Sequence, residues 1–507
     1  MVTSKESKPL RLTLPQTFID NMQAILGSQT DSFLNSYNEP RTYGLRLNPL
    51  KAAALDKILP ALTEQFGLQP IPWCATGYYY NEEFRPGKHP YHAAGLYYIQ
   101  EPSAMTAAEL LDPQPGEVIL DLAAAPGGKT TQIAGKMHGQ GVLVANEIHP
   151  ARAKILSENV ERCGIVNAIV TSAAPDELSR RFPALFDRIM LDAPCSGEGM
   201  FRKDEGAIAE WSDSHVAMCA ARQSDILEHA AIMLKPGGRL VYSTCTFNRS
   251  ENEDTIHAFC LAHPEFEVSQ IERVWPHESR GEGHFVAVLH KAKPSDVVAD
   301  ACSSHASAAE DGPAERISSS AQTVTAPKLR AREARSNSSR DRGADRGRRS
   351  SSGGAGGSSA ADMALLHAFC AAALPGGAGL GPGEPLRFGD ALYWLPHTNS
   401  GSPIRASDLQ GLKVARPGLH LGDIRTNRIE PSHSLALAVS AHAAAWVQSY
   451  RPDAPEIAAF LRGETLPAQE GSSGWGLIAV DDLPLGWGKA SGGQIKNHLP
   501  KGLRWFK

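Results

Sequence analysis

The chain has 507 residues, 42% of them hydrophobic and 21% charged, with a net charge of −5. That length exceeds one core, so two or three domains plus a linker are expected, and no apolar run approaches the roughly eighteen residues of a membrane span. The global charge does not attract nucleic acid, and the eight cysteines form no CxxC pair, which argues against zinc-ribbon and thioredoxin-like sites and leaves no metal expected.

The first fifteen residues lack the apolar core of a signal peptide, so a cytoplasmic protein is expected. Residues 1–105 read as a small α/β domain, with one or two amphipathic helices over 14–37, a strand in 43–51 and aromatic-rich text at 71–80. Residues 106–291 alternate apolar strand patterns (EVILDLAAA, GVLVANE, AIVTSA, RIMLDAP, RLVYSTC) with helix-compatible segments. This predicts a Rossmann-like parallel sheet covered by helices, closed by a last strand at HFVAVLHK, 284–291. Over 292–360 Ser, Ala, Gly and Arg dominate, as in a flexible, disordered linker. Within it residues 326–350 carry nine Lys/Arg against three Asp/Glu, a local charge of +6 that leaves −11 for the remainder. A plain tether is preferred to an RNA-binding tail, because no aromatics accompany the arginines. Order resumes over 361–440, with helices at 362–374 and 430–447 flanking strand-and-turn text. Residues 441–507 read as a compact β-rich domain.

The first chemical motif runs from Asp121 to Thr130. Ala123, Ala124, Ala125, Pro126, Gly127, Gly128 and Lys129 form a glycine-containing strand-to-helix turn that lets backbone approach a ligand. A Walker loop needs glycine at position 123, and the dinucleotide pattern GxGxxG is absent, so both phosphate-binding readings fail. Glu147 ends the next strand, where an acid can accept from two ribose hydroxyls. Alone it would be an ordinary strand-end carboxylate. Loop and acid together suit a nucleoside cofactor without phosphate, such as S-adenosylmethionine.

Two later strands end in Asp192-Ala193-Pro194-Cys195 and Ser243-Thr244-Cys245. Ligands of open α/β sheets sit beyond the carboxyl ends of the strands, so both thiols face the cofactor crevice. A thiolate added to carbon 6 of cytosine makes carbon 5 nucleophilic toward a methyl sulfonium. Asp192, if protonated, would hydrogen-bond ring nitrogen 3, and a base must then remove the carbon 5 proton. The target cytosine must be unpaired or flipped out for the cysteine to reach it. The alternative, two structural thiols, is the usual fate of cysteine. Spacing does not say which cysteine attacks, and the Pro-Cys dipeptide would favour Cys195.

Several ordered segments resemble the RNA cytosine-5 methyltransferases of the Sun/nucleolar-protein type, and most closely their RsmF-like branch. They are YIQEPSAM (98–105), DLAAAPGGKTTQIA (121–134), NEIHPARAKIL (146–156), LDAPCSGEGMFRKD (191–204), YSTCTFNRSENE (242–253) and GEGHFVAVL (281–289). Two C-terminal stretches, 418–438 and 484–504, resemble that branch's C-terminal domains. The resemblance implies methylation of cytosine carbon 5 in small-subunit ribosomal RNA or its precursor particle, by a monomer using S-adenosylmethionine. It implies an N-terminal RNA-binding domain, cofactor contacts from residues 123–129, Glu147 and Asp192, attack by Cys245, and product release through Cys195. Arg202 and Lys203 are expected at RNA phosphates, with an ordinary solvated helix start as the equal alternative. Ala123 stands where relatives often carry Cys. The third strand ends in Ser172-Ala173-Ala174, then Asp176, which leaves the adenine contact open between backbone, Ser172 and Asp176.

The C-terminal domain resembles a PUA-like RNA-binding module. Its Trp475, Trp487 and Trp505 lie among Lys489, Lys496, Lys501 and Arg504. Trp475 is expected in the core, and the lysines from 489 to 501 are expected to meet single-stranded RNA. The competing functions are a DNA cytosine methyltransferase and a non-enzymatic ribosome-assembly protein with a vestigial cofactor pocket.

Overall fold

The structure, a computed structural model, describes residues 13–293 and 356–505. The basic run at 326–350 and nearly all of the expected linker lie outside the described residues. The N-terminal helices form at Gln16–Leu26 and Thr30–Ser36. Behind them β1 (Gly44–Leu47), β2 (Gln69–Ile71), β3 (Cys74–Tyr79) and β4 (Tyr97–Ile99) make an antiparallel sheet in the order β2-β3-β1-β4.

The central sheet contains β5 (Val118–Asp121), β6 (Val142–Asn146), β7 (Ala168–Thr171), β8 (Phe186–Asp192), β9 (Leu234–Thr244), β10 (Phe266–Val274) and β11 (His284–Lys291). Strands β5 to β9 are parallel, and β5, β6 and β7 are buried along their whole length. This explains their unbroken apolar runs, since helices cover both faces. The spatial order is β10-β11-β9-β8-β5-β6-β7, with a further strand, β15 (Val414–Arg416), beyond β7. The chain winds one way from β5 to β7 and the other way through β8 and β9. The switch point therefore lies between the ends of β5 and β8, at Asp121 and Asp192.

Two strands of this sheet were not anticipated. β10 is buried only at its ends, Phe266 and Val274, with an exposed run over 269–272, and lacks an apolar run. β15 (Val414–Arg416) comes from the C-terminal region and pairs antiparallel with the outer edge of β7. It is fixed by the buried Arg416, whose Nη1 lies 3.1 Å from Ser434 Oγ and 3.6 Å from Glu161. A borrowed strand covers an edge that would otherwise expose unpaired backbone.

The C-terminal region begins with β12 (Gly356–Gly357), inside the stretch expected to be linker, and the helix Ala360–Ala373 capped by Ser359. β12, β13 (Gly383–Phe388), β14 (Ala391–Pro396), β16 (Leu419–Arg425) and β17 (Arg428–Pro431) form one sheet. The long helix expected over 430–447 is only His433–Ala438, capped by Ser432. Val439 already leaves in extended conformation, and Ala445 donates instead to the Ala373 carbonyl at 2.9 Å. Tertiary hydrogen bonding there overrides alanine's helix propensity. The last sheet holds β18 (Val447–Tyr450), β19 (Leu466–Pro467), β20 (Gly474–Val480), β21 (Leu483–Ser491) and β22 (Gln494–Asn497) in the order β18-β20-β21-β22-β19, beside an unanticipated amphipathic helix, Pro455–Arg462. Trp487 is the core tryptophan, with its Nε1 donating to the Ser432 carbonyl at 2.8 Å. Trp475 is only half-buried at the rim of that core.

One hydrophobic cluster joins Leu45, Phe66 and Tyr97 of the N-terminal domain to Phe460, Ile478 and Leu485 of the C-terminal one. Gly95 sits where the N-terminal domain meets the helix Pro150–Arg162. It has φ +71°, and a Cβ there would stand 1.9 Å from the Arg162 carbonyl oxygen. Gly95→Ala should therefore cost about 2 kcal/mol or more. We expect its thermal unfolding midpoint to fall by several degrees, and an unchanged midpoint would mean that the helix end yields without cost.

Candidate functional site

The carboxyl ends of β5, β8 and β9 converge on a cavity of about 240 Å³. Its walls include the 123–126 turn, Gly128, Lys129, Asp121, Asp192 and Cys245, with Tyr98 to Glu101 from the N-terminal domain across from them. Lys129 follows directly on the start of a helix and is only 7% exposed. Its Nζ lies 2.9 Å from Asp192 Oδ2, while Ser243 Oγ donates to Asp192 Oδ1 at 2.9 Å. Burial pushes the Asp192 carboxyl up, but the Lys129 ammonium and the Ser243 hydroxyl outweigh it and hold the group below the usual carboxylate range. Asp192 is thus an ionised acceptor. A protonated Asp192 donating to ring nitrogen 3, as expected from sequence, is opposed by this pairing, and the proton-bearing group beside it is Lys129.

Cys245 lines the cavity, and Cys195 is absent from its wall. The two sulfurs are 3.4 Å apart and both thiols are free. The contact with Cys245 and burial hold the Cys195 thiol well above its ordinary value. Two buried glutamates tie the loops that carry them. Glu251 accepts from Ser196 N–H at 2.9 Å, from the Ser196 hydroxyl and from Gln223 Nε2 at 2.9 Å. Glu198 accepts from Phe247 N–H at 2.8 Å and Trp211 Nε1 at 3.1 Å. Gly199 N–H donates to the Cys245 carbonyl at 2.8 Å, and a Cβ on Gly199 would press on that oxygen at 2.9 Å.

Around the turn, Arg152 Nη2 donates to the Ala125 carbonyl and Asn159 Nδ2 to the Pro126 carbonyl, both at 2.8 Å. Glu147 is outside the cavity wall. Its carboxylate accepts from His149 N–H at 2.9 Å and pairs with Arg152 at 3.2 Å, on the side where the exposed Ile148 begins the next segment. Asp176 lies on the helix Pro175–Arg181, paired with Arg180 at 2.8 Å, and Ser172 Oγ donates to the Ile148 carbonyl at 3.3 Å.

Arg202 is turned inward. Its guanidinium pairs with Glu282 at 2.6 Å and donates to the carbonyls of Ser36 and Gly281, so the donors expected at RNA phosphates are taken by the protein. Lys203 is exposed and borders the cavity. Lys489 and Lys496 face each other across β21 and β22 on exposed positions, with Lys489 Nζ 5.1 Å above the Trp475 ring. They form a strand face, not a loop. Lys501 is also exposed. Trp505 lies apart from them, on a separate apolar cavity.

Two residues of the site were not singled out from sequence. Asp121 is fully buried. Its Oδ2 accepts from Thr130 Oγ1 at 2.6 Å, and its Oδ1 has no partner. The orphaned oxygen borders the cavity and suits a cationic or N–H group of a ligand, as a methionine-bearing cofactor would supply. His284, at the start of β11, lies 3.7 Å from Asp192 Oδ1. The signal for His284 was a histidine at the mouth of the apolar strand in GEGHF, and that for Asp121 was its place at the head of the DLAAAPGGKT turn. No group of metal-ligating side chains occurs among the described residues, and no helix there is long and apolar enough to cross a membrane.

Family models match four consecutive stretches. Residues 14–102 match the N-terminal domain of 16S rRNA methyltransferase RsmF. Residues 108–290 match 16S rRNA methyltransferase RsmB/F, 368–439 the first C-terminal domain of RsmF, and 447–505 the RsmF PUA domain. The chain is 43% identical over 251 residues to a ribosomal RNA small subunit methyltransferase F of Vibrio vulnificus, covering 48% of this chain and 53% of that protein. It is 36% identical over 320 residues to one of Serratia proteamaculans, covering 57% of this chain and 67% of that protein. The chain thus spans about half the length of the first curated relatives it matches. Among solved structures, a methyltransferase homolog from Pyrococcus horikoshii shares 30% identity at a TM-score of 0.50, covering 55% of this chain and 96% of that one.

The site has a pH signature. Burial raises the Asp121 carboxyl to about 7; Thr130 opposes this and the charge of Asp192 adds to it. Since an unfolded aspartate titrates near ~3.9, this group's contribution to stability is full below that pH and is lost as pH rises through about 7. Asp121→Asn should therefore lose less thermal stability than the parent protein between pH 5 and pH 9 (about four units spanning that titration). Parallel melting curves across that range would disprove the assignment.

Proposed function

The chain belongs to the RsmB/F family of 16S rRNA methyltransferases, and from that premise we propose that it methylates carbon 5 of a cytosine in small-subunit ribosomal RNA with S-adenosylmethionine. The observation that carries this reading is the pair of free sulfurs at 3.4 Å, one on the cavity wall and one off it, beside the Lys129–Asp192 ion pair. In this reading the enzyme is cytoplasmic and monomeric. The cofactor is held by the 123–129 turn, by Asp121 and by Glu147, whose partner Arg152 is exposed enough to swing away when the ribose arrives. The exposed Ile148 offers adenine an apolar face, in place of Ser172 or Asp176.

Cys245 is the nucleophile toward carbon 6, because it alone of the two borders the space for the base. Lys129 is the cation that balances charge arising on the ring, with Asp192 holding it in place and accepting from the base. When bound, S-adenosylmethionine supplies an electrophilic methyl group to carbon 5. Release then needs the carbon 5 proton removed as the Cys245–carbon 6 bond breaks. We assign that step to Cys195 acting as a relay: its own proton passes to the departing Cys245 sulfur 3.4 Å away while its sulfur takes the carbon 5 proton, so both cysteines end as thiols. Lys203 at the cavity rim and Lys489, Lys496 and Lys501 on the C-terminal domain are the phosphate-facing cations, and Trp475 is a stacking surface beside Lys489.

Cys245→Ala should lower methyl transfer on the order of 1,000-fold or more, while Cys195→Ala should accumulate a protein–RNA adduct that survives denaturant. Activity in Cys245→Ala, or loss of activity in Cys195→Ala without adduct, would reverse or remove these roles. Equal or better transfer to a matched DNA would replace RNA as substrate, and bisulfite sequencing of ribosomal RNA with and without the protein would locate the cytosine.

A further inference from the structure

His284 takes no part in the steps above, yet it is placed as a ligand-binding group. Its residue is 4% exposed, its side chain borders the cavity, and its Nε2 is buried with no hydrogen-bond partner. The position is rigid. Gly283 before it has φ +113°, and a Cβ there would meet the Phe247 ring at 2.3 Å, so neither backbone nor neighbour can shift freely. Across β9 the ring reaches Asp192, with Nε2 3.7 Å from Oδ1, too far for a hydrogen bond. Burial and the nearby Lys129 keep the imidazole neutral, with a pKa lowered to about 3. The Gly283 carbonyl lies against the ring and favours a ring proton. Placing that proton on Nδ1 leaves the partnerless Nε2 as a bare acceptor.

Two acceptors then stand side by side, Asp192 Oδ1, which holds one donor in Ser243, and His284 Nε2, which holds none. An orphaned buried acceptor is costly unless a ligand completes it. Cytosine carries an amine with two N–H groups on carbon 4. Uracil carries a carbonyl oxygen there, which would put a third lone pair against two others. We infer that His284 Nε2, together with Asp192, accepts from the exocyclic amine of the target base and so selects cytosine against uracil. This inference rests on the proposed cytosine methylation.

The test uses the full chain and small-subunit ribosomal RNA, first to map the methylated cytosine. Ligated transcripts then carry cytosine, pyrimidin-2-one (no group on carbon 4) or uracil at that position. The parent enzyme should prefer cytosine to pyrimidin-2-one by about tenfold or more in kcat/KM. In His284→Phe that preference should shrink to within about threefold, since the ring fills the space without an acceptor. Comparing the ratio between enzymes cancels the different intrinsic reactivity of the two bases. His284→Leu gives the same reading if phenylalanine does not fit, and calorimetric binding of S-adenosylmethionine identifies a folded variant. A variant that slows on every base while keeping the full preference overturns the inference, because His284 would then only steady Asp192. If the parent enzyme methylates no cytosine in RNA, the underlying function fails instead.

Discussion

Two free thiols stand 3.4 Å apart on loops that are bound to each other by buried carboxylates. Glu251 reaches from the segment after Cys245 to the backbone and hydroxyl of Ser196, and Glu198 reaches from the segment after Cys195 to the backbone of Phe247. Each glutamate is pushed up by burial and partly restored by these donors. Leaving either unpaired would cost far more than an ordinary hydrogen bond. The spacing of the sulfurs is therefore set by a reciprocal brace, and the different surroundings of the two thiols follow from it. Cys245 is left on the cavity wall, and Cys195 lies off that wall in contact with it.

The same crevice depends on segments far from it in the chain. The N-terminal helices place Phe18 and Phe33 against Phe201, Trp211 and Phe247, at the shoulder of the cysteine loops. Arg46 of β1 donates to the Gly128 carbonyl at 3.0 Å and to Thr131 Oγ1 at 2.7 Å, which fixes the start of the helix after the cofactor turn. Glu282 holds Arg202 and receives the Thr42 N–H at 3.1 Å, linking the β11 approach to the N-terminal domain. The C-terminal region contributes β15 to the central sheet and shares a core with the N-terminal sheet. The described domains are thus mutually supporting parts of one packing arrangement, and the site inherits its rigidity from contacts between them.

Much of this was legible in the amino-acid order. Apolar runs at 118–121, 142–146, 168–171, 186–192 and 239–244 became the parallel strands, because burial on both faces demands continuous hydrophobicity. The 123–129 turn, Asp192, Cys195 and Cys245 then fell at strand ends by topology alone. β10 and β15 were not legible: one has an exposed face, and the other is three residues long and stable only against an edge supplied by distant sequence. The alanine-rich stretch after 438 has helical composition but gives its backbone to tertiary partners.

What the sequence by itself determined is the sheet, the family resemblance and the list of groups able to do chemistry, since these follow from local pattern and motif order. Only the tertiary structure decided how those groups divide their work. Charge state, orientation and access depend on neighbours brought together across strands. Asp192 is an acceptor because Lys129 lies 2.9 Å away, Arg202 is unavailable to RNA because Glu282 holds it, and His284 matters because its orphaned nitrogen faces the same space as Cys245.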